Sequence, residues 1–268
     1  MQLEPVNAAD QKVALVPTMG ALHPGHVSLI KAAQEIADFV VCSVFVNPTQ
    51  FTDPKDLEKY PRPVEHDIKM LEQAGCDLVF MPSVQEMYPQ QEQWHIDLGS
   101  AEFLLEGAYR KGHYQGVTQI VKKLFDAVQP HKALFGQKDY QQVLMIQNMV
   151  HHFKLPIEIV TCPIIREQDG LAMSSRNIHL SASDRTHALV LSKALQYVKE
   201  HFEQESIDTL EEHASAMISN TPGVELDYFS IVDGSTLEKQ HDKTAKNLVA
   251  LVAAKVGHTR LIDNMLLS

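Results

Sequence analysis

Over roughly its first 160 residues the chain alternates short β-rich runs with longer amphipathic stretches, the pattern of a parallel sheet with helices on both faces. Strands are predicted at 13–16, 39–46, 78–81, 133–135 and 157–160. Helices are predicted at 27–37, 64–74 (with Gly75 as a C-terminal stop), 115–128 and 139–152. The run 39–46 is continuously apolar and rich in β-branched residues, as a buried parallel strand requires. Ligands of such sheets bind beyond the carboxyl ends of the strands. Residues following different strands, such as His23, Asn47 to Gln50 and Gly136 to Asp139, can therefore converge although they are distant in sequence.

After Cys162-Pro163 the texture changes. A polar loop is predicted at 166–177, then two helices (182–202 and 207–219). Short β-rich runs follow at 226–232, 248–253 and 259–262. The expectation is an N-terminal α/β domain over 1–162 and a smaller α+β domain over 163–268. With 23 Lys plus Arg against 34 Asp plus Glu, the net charge of −11 disfavours a nucleic-acid-coating role. The apolar runs are too short to span a bilayer. No basic region followed by a long apolar block opens the chain, so a cytoplasmic location is expected. Cys42, Cys76 and Cys162 sit singly and far apart, which reads as buried thiols in a reducing compartment.

Four segments carry chemistry. The first runs from Val16 to His26, a strand, a tight turn with two glycines, and a helix start bearing His23 and His26. Turn residues let an anion approach the backbone, helix N–H groups point at it, and imidazoles add donors. A metal-ligating histidine pair and an incidental surface turn stand as alternatives. The second is 45–51, where an apolar strand runs into the amides Asn47 and Gln50, suited to hydroxyl and carboxylate recognition. The third is 135–142. Lys138 suits phosphate, Asp139 a helix cap or ribose hydroxyls, and Gln142 is expected one turn on, on the same helix face. The fourth is 166–177, where Ser174, Ser175 and Arg176 can bind a polyphosphate in a loop able to close over a ligand.

The segments PTMGALHPGH (17–26), VFVNPTQF (44–51), LEGAYRKGHYQGV (104–117), LFGQKDYQQ (134–142) and REQDGLAMSSRN (166–177) closely resemble the pantothenate synthetase (pantoate–β-alanine ligase) family. The resemblance runs almost end to end and keeps the motif order. It implies membership of the nucleotidylyltransferase superfamily, a Rossmann-like N-terminal domain, a smaller C-terminal lid domain and a homodimer joined through the larger domains. The implied reaction activates pantoate with ATP to pantoyl adenylate, releasing pyrophosphate. The amine of β-alanine then gives pantothenate and AMP. ATP and Mg²⁺ are implied cofactors, and pantoate, β-alanine and ATP the small-molecule partners.

Position by position, the resemblance implies that Met19, Gly20, Ala21, Leu22, His23, Pro24, Gly25 and His26 line the ATP site. His23 and His26 would meet phosphate, with His26 in the proton-donating role. Gly136, Gln137, Lys138 and Asp139 would bind ATP, the backbone of Ile165 would meet adenine, and Met173, Ser174, Ser175 and Arg176 would close on the triphosphate. Catalysis would fall to His26, His23, Lys138 and Arg176. Gln50 would bind pantoate and β-alanine, and Gln142 pantoate; Asn47, Tyr60 and Arg110 are lesser carry-overs. The chain departs from the family where Gln137 replaces Glu and Gln115 replaces Arg, and its acidic cluster is thinned to Glu65, His66 and Asp67. The metal ligands stay unassigned, with Asp67 a weak candidate. A nucleotidyltransferase that leaves its nucleotide on the product is the alternative function.

Overall fold

The computed structural model describes residues 11–268. The expectation of no leader rests on the chain's first residues, which lie outside the described ones. By backbone contacts the chain divides into two compact units. The first comprises the residues up to Glu102 together with Gly107–Gln137 and Gln142–Pro163. The second comprises Phe103–Glu106, Lys138–Gln141 and Ile164–Ser268.

In the first unit the order is β1 (Val13–Thr18), α1 (Pro24–Gln34), β2 (Phe39–Val44), α2 (Pro54–Lys59), α3 (Val64–Ala74), β3 (Leu78–Phe80) and α4 (Val84–Met87). A helical turn, α5 (Glu106–Tyr109), leads to α6 (His113–Val128), β4 (Lys132–Gly136), α7 (Tyr140–His152) and β5 (Glu158–Cys162); Glu106, Tyr140 and Gln141, at the starts of α5 and α7, count with the second unit. The sheet order is β3-β2-β1-β4-β5 and every pairing is parallel. The strand order reverses between β1 and β4, which makes their carboxyl ends the switch point of a doubly wound sheet. The β1–β4 register covers only Ala14↔Lys132 and Leu15↔Ala133. The two strands part beyond it. Pro17, which has no N–H to donate, therefore falls where that ladder has already ended. Ala14, Val16, Leu29, Ile30, Val40, Leu71 and Leu134 form one buried cluster between α1, α3 and the sheet. Each fully buried Leu or Ile contributes about 1.5–3 kcal/mol relative to exposure.

The second unit contains α8 (Ala182–His201), α9 (Ile207–Ser219) and an antiparallel meander of β6 (Val224–Asp233), β7 (Leu248–Val256) and β8 (Thr259–Leu266). Leu191, Leu195 and Val198 from α8 and Leu210 and Ile218 from α9 bury against Leu248, Ala250, Val252 and Ala254 of β7. The period-2 alternation of β7 puts these four on one sheet face.

Several element ends differ from expectation. α1 starts at Pro24 rather than residue 27, because His23 caps it and Pro24 suits the first helical position. β2 stops at Val44 rather than residue 46, and Phe45 N–H instead donates to Thr18 O (3.1 Å). β7 and β8 run on to Val256 and Leu266, joined by a turn at Gly257 and His258. The segment expected as a loop at 166–177 forms a small hairpin, with Arg166 paired to Ala172, then a 3-10 turn at Ser175–His179. The short helices α2, α4 and α5 have too few turns to show a 3.6-residue apolar period and were not expected.

Candidate active site

Beyond β1 the chain makes a turn that cannot hold itself. Gly20 has φ +79° and Ala21 φ 50°, so their amides point away from any ladder. Asp67, from the first turns of α3 and only 1% exposed, accepts both following N–H groups. Its Oδ2 takes Ala21 N (2.9 Å) and its Oδ1 takes Leu22 N (2.8 Å). Thr18 Oγ1 accepts Gly20 N and donates to Ser43 O, tying the turn to β2. A Cβ on Gly20 would lie 2.8 Å from Asp67 Oδ2, so only glycine fits over the carboxylate. Asp67, a weak metal candidate in the sequence, accepts backbone N–H groups of the Gly20–Leu22 turn on both oxygens.

The histidine pair is a capping box. Gly25 N donates to His23 Nδ1 (3.1 Å), and His23 N donates to His26 Nδ1 (3.3 Å). The ring centroids are 4.1 Å apart. With both Nδ1 atoms accepting, the neutral form of each ring carries its proton on Nε2, at a helix start of the kind that suits an anion. Histidine thus does here what Ser and Glu do in the usual box.

The amide cluster after β2 is also interlocked. Asn47 Nδ2 donates to Gln50 Oε1 (3.1 Å) and to Gly116 O (3.1 Å), and Tyr88 Oη donates to Asn47 Oδ1 (2.8 Å). His113 Nδ1 lies 2.7 Å from Gln50 O. Gln50 Nε2 donates to Met19 Sδ (3.0 Å), which brings the second motif against the first. A thioether is a weak acceptor, so a substrate carboxylate or hydroxyl would displace it readily. Close approach explains Gly116 in mid-helix. A Cβ there would lie 2.3 Å from Thr49 O. Gln142 is half-buried, and among the described residues no side chain or backbone group bonds its amide. Tyr60 is buried beside Phe51, and Arg110 follows α5.

Met19 to His26, Gln50, Gly136, Gln137 and Gln142 belong to the first unit; Lys138, Asp139, Ile165 and Met173 to Arg176 belong to the second. Gln137 to Asp139 form a 3-10 turn and α7 starts only at Tyr140. Lys138 and Gln142 are therefore not carried by one continuous α-helix, as the expected spacing had assumed. In the second unit, Met173 N donates to Ile165 O (3.0 Å) and Glu167 N to Leu171 O (2.8 Å), closing the hairpin. Glu167 takes Asn177 Nδ2 on one oxygen and Arg185 Nη2 on the other (2.8 and 2.6 Å), and Ser174 Oγ caps Arg176 N–H. The MSSRN segment is thus tethered at both ends.

The departures from the family pattern are absorbed locally. Gln115 pairs with Ile96 N and O and donates to both oxygens of Glu102, which is itself buried. Burial raises the thiols of Cys42, Cys76 and Cys162 above their ordinary value, which disfavours the thiolate form. Among the described residues no three His, Cys, Asp or Glu side chains group as a metal cage. No helix among them is long and apolar enough to cross a membrane. Sequence reasoning missed the roles of Asp67, His113 and Gly116. The signal for Gly116 was present, an isolated glycine inside a helical pattern.

Residues 2–266 match the pantoate–β-alanine ligase family description. Pantothenate synthetase of Bacteroides fragilis is 46% identical over 269 residues, covering 98% of this chain and 94% of the relative. That of Acetivibrio thermocellus is 46% identical over 256 residues, covering 95% and 91%. Among solved structures, pantothenate synthetase from Thermus thermophilus superposes with a TM-score of 0.91 at 43% identity, covering 95% of this chain and 92% of that one. Pantoate–β-alanine ligase from Francisella tularensis, complexed with β-γ ATP and β-alanine, gives 0.79 at 34% identity, covering 97% and 92%. A family match over residues 2–266, relatives at 46% identity and near-complete coverage have one reading: the chain belongs to the pantoate–β-alanine ligase family.

Proposed function

We propose that this chain condenses pantoate with β-alanine in two steps, and that the capped histidine turn held by Asp67 is the observation that carries the assignment to its residues. In the first step a pantoate carboxylate oxygen attacks the α-phosphorus of ATP, and the bond to pyrophosphate breaks. In the second the β-alanine nitrogen attacks the acyl carbon, the bond to AMP breaks, and the amine proton is lost to solvent. Pantothenate and free AMP leave. No protein nucleophile is needed.

Repulsion between a carboxylate and a polyphosphate is the obstacle to the first step. The Nε2–H groups of His23 and His26, Lys138 and Arg176 oppose it with donors and charge. No described carboxylate claims Lys138 Nζ, so its charge is available to phosphate. Gln50 and Gln142 orient pantoate, and Gln50 also β-alanine. Ile165 backbone receives adenine, Asp139 ribose, and Met173 to Arg176 the triphosphate. The described residues offer no cage for Mg²⁺. In this reading Mg²⁺ would arrive with ATP and would supply charge neutralisation at the phosphates. Cytoplasmic action, a first unit serving ATP and pantoate, a lid role for the second, and a homodimer joined through the first belong to the same reading. Sedimentation tests the dimer.

Pantoate-dependent ATP–pyrophosphate exchange without β-alanine tests the reaction. Exchange is expected, and its absence would refute the adenylate. The relatives' names support the ligase and not the nucleotidyltransferase alternative, which release of free AMP on adding β-alanine also separates.

A further inference from the structure

The last strand, β8, carries two consecutive polar residues that are almost completely buried. Asp263 is 3% exposed and Asn264 1% exposed. Burying a carboxylate and an amide is unfavourable unless each is bonded, so their partners matter. Asp263 faces Val252 across the β7–β8 pairing, on the sheet face covered by α8 and α9. Asn264 faces Leu251, on the opposite face.

Asp263 forms a two-pronged ion pair with Arg166, Nη1 to Oδ2 at 2.6 Å and Nη2 to Oδ1 at 3.0 Å. The same guanidinium donates to Gly170 O (3.1 Å), across the mouth of the hairpin. Arg166 stands between Ile165, whose carbonyl accepts Met173 N–H, and Glu167, which bonds Leu171 and Asn177. Fixing Arg166 therefore fixes Ile165 and Met173 together. Asn264 Nδ2 donates to Lys138 O (2.9 Å). Four residues earlier on the same face, Arg260 grips Glu106 through both carboxylate oxygens (2.6 and 2.7 Å). Glu106 N donates to Gln141 Oε1 (3.1 Å), and Tyr140 Oη donates to Gly234 O (3.1 Å). The segment Lys138–Gln141 is thus held to the rest of the second unit at three points.

We propose that Asp263 and Asn264 are positioning residues for ATP: one pair of adjacent β8 residues sets the Ile165–Met173 hairpin through Arg166 and the Lys138–Asp139 turn through the Lys138 carbonyl. Neither residue touches substrate. Their effect is to hold two ATP-contacting segments, separated by roughly 30 residues of chain, at fixed spacing, and orientation of that kind is a large part of catalysis when no protein nucleophile is involved. The inference rests on the ATP reading of Lys138, Ile165 and Met173.

The test uses the full chain and three variants, Asn264→Ala, Arg166→Lys and Lys138→Ala, assayed by ATP–pyrophosphate exchange and by steady-state turnover. Asn264→Ala leaves a buried carbonyl without its donor, and Arg166→Lys keeps a cation for Asp263 but removes the fork. Each is expected to raise KM for ATP about tenfold, with KM for pantoate unchanged. The second half-reaction, started from supplied pantoyl adenylate and β-alanine, should run at the parent rate. A raised ATP KM in Lys138→Ala, with parent-like values in the other two, overturns the inference and leaves the ATP reading standing. Parent-like ATP KM in Lys138→Ala itself overturns both. Proportional loss of all activities with a lowered melting temperature marks a merely structural role and also overturns it.

Discussion

Asp67→Asn isolates the contact that shapes the ATP-type turn. The substitution is isosteric, so packing around the side chain, 1% exposed, is preserved. In the parent both oxygens accept backbone N–H groups, at 2.9 Å from Ala21 and 2.8 Å from Leu22. The amide can satisfy only one of them; whichever way it is turned, its NH₂ faces the other donor. One charge-assisted bond, worth about 1.5–3 kcal/mol, is lost, and the second becomes a neutral bond worth about 1 kcal/mol. The local cost is about 2–5 kcal/mol. With two compact units, a single unfolding midpoint need not report it. Amide hydrogen exchange at Ala21 and Leu22 does, because 2 kcal/mol corresponds to about 30-fold faster exchange through local opening. Pantoate-dependent pyrophosphate exchange should fall with it, since Gly20 to Leu22 would no longer be held. Unchanged protection at both amides, together with unchanged exchange activity, would refute the reasoning.

Gly116→Ala should destabilise, although Gly→Ala inside a helix ordinarily stabilises by about 0.5–1 kcal/mol. Its Cβ would meet Thr49 O at 2.3 Å and Gln50 Cα at 2.8 Å, so the Pro48–Gln50 turn must move; KM for pantoate should rise several-fold, and a stabilised, fully active variant would contradict the close approach. His26→Ala should lower turnover by about tenfold or more, as expected for loss of a donor near the transition state. His26→Gln keeps an acceptor at the third helical position for His23 N–H, so it should recover stability but not turnover; recovery of both would make His26 a cap alone. Burial raises the Cys42 thiol far above its ordinary 9.0, with the neighbouring Cys76 adding to the effect. The folded state then keeps a proton that the unfolded state releases, so this stability is complete below about pH 9 and is lost as pH rises further. Cys42→Ala should flatten the alkaline stability slope by about one proton, roughly 1.4 kcal/mol per pH unit, in denaturant titrations; an unchanged slope counts against it.

Much of the architecture was legible in the chain. The helix 64–74 and its stop at Gly75 stand as expected, because an apolar period and a left-handed glycine are local properties. The five parallel strands were each located, since β-branched apolar runs bounded by turns need no partner to be recognised. Their ends were less well placed. Val44, not residue 46, ends β2, because pairing with β1 determines the boundary rather than hydrophobicity. The histidine pair was singled out from spacing alone. That each ring accepts a backbone N–H of the turn through Nδ1 depends on backbone angles that the sequence does not display.

By itself the sequence determined the fold class and the family and singled out the candidate chemistry-bearing residues, because periodicity, turn residues and motif order are written along the chain. Tertiary structure alone decided which groups serve those residues. Asp67 holds the turn at Gly20 to Leu22, Gly116 admits the turn bearing Gln50, and Asp263 and Asn264 hold Arg166 and Lys138. It also decided that 103–106 and 138–141 belong with the C-terminal residues. The reason is physical: a buried hydrogen bond is specified by where two segments meet in space, and residues 46 or 126 positions apart carry no local sign of their partner.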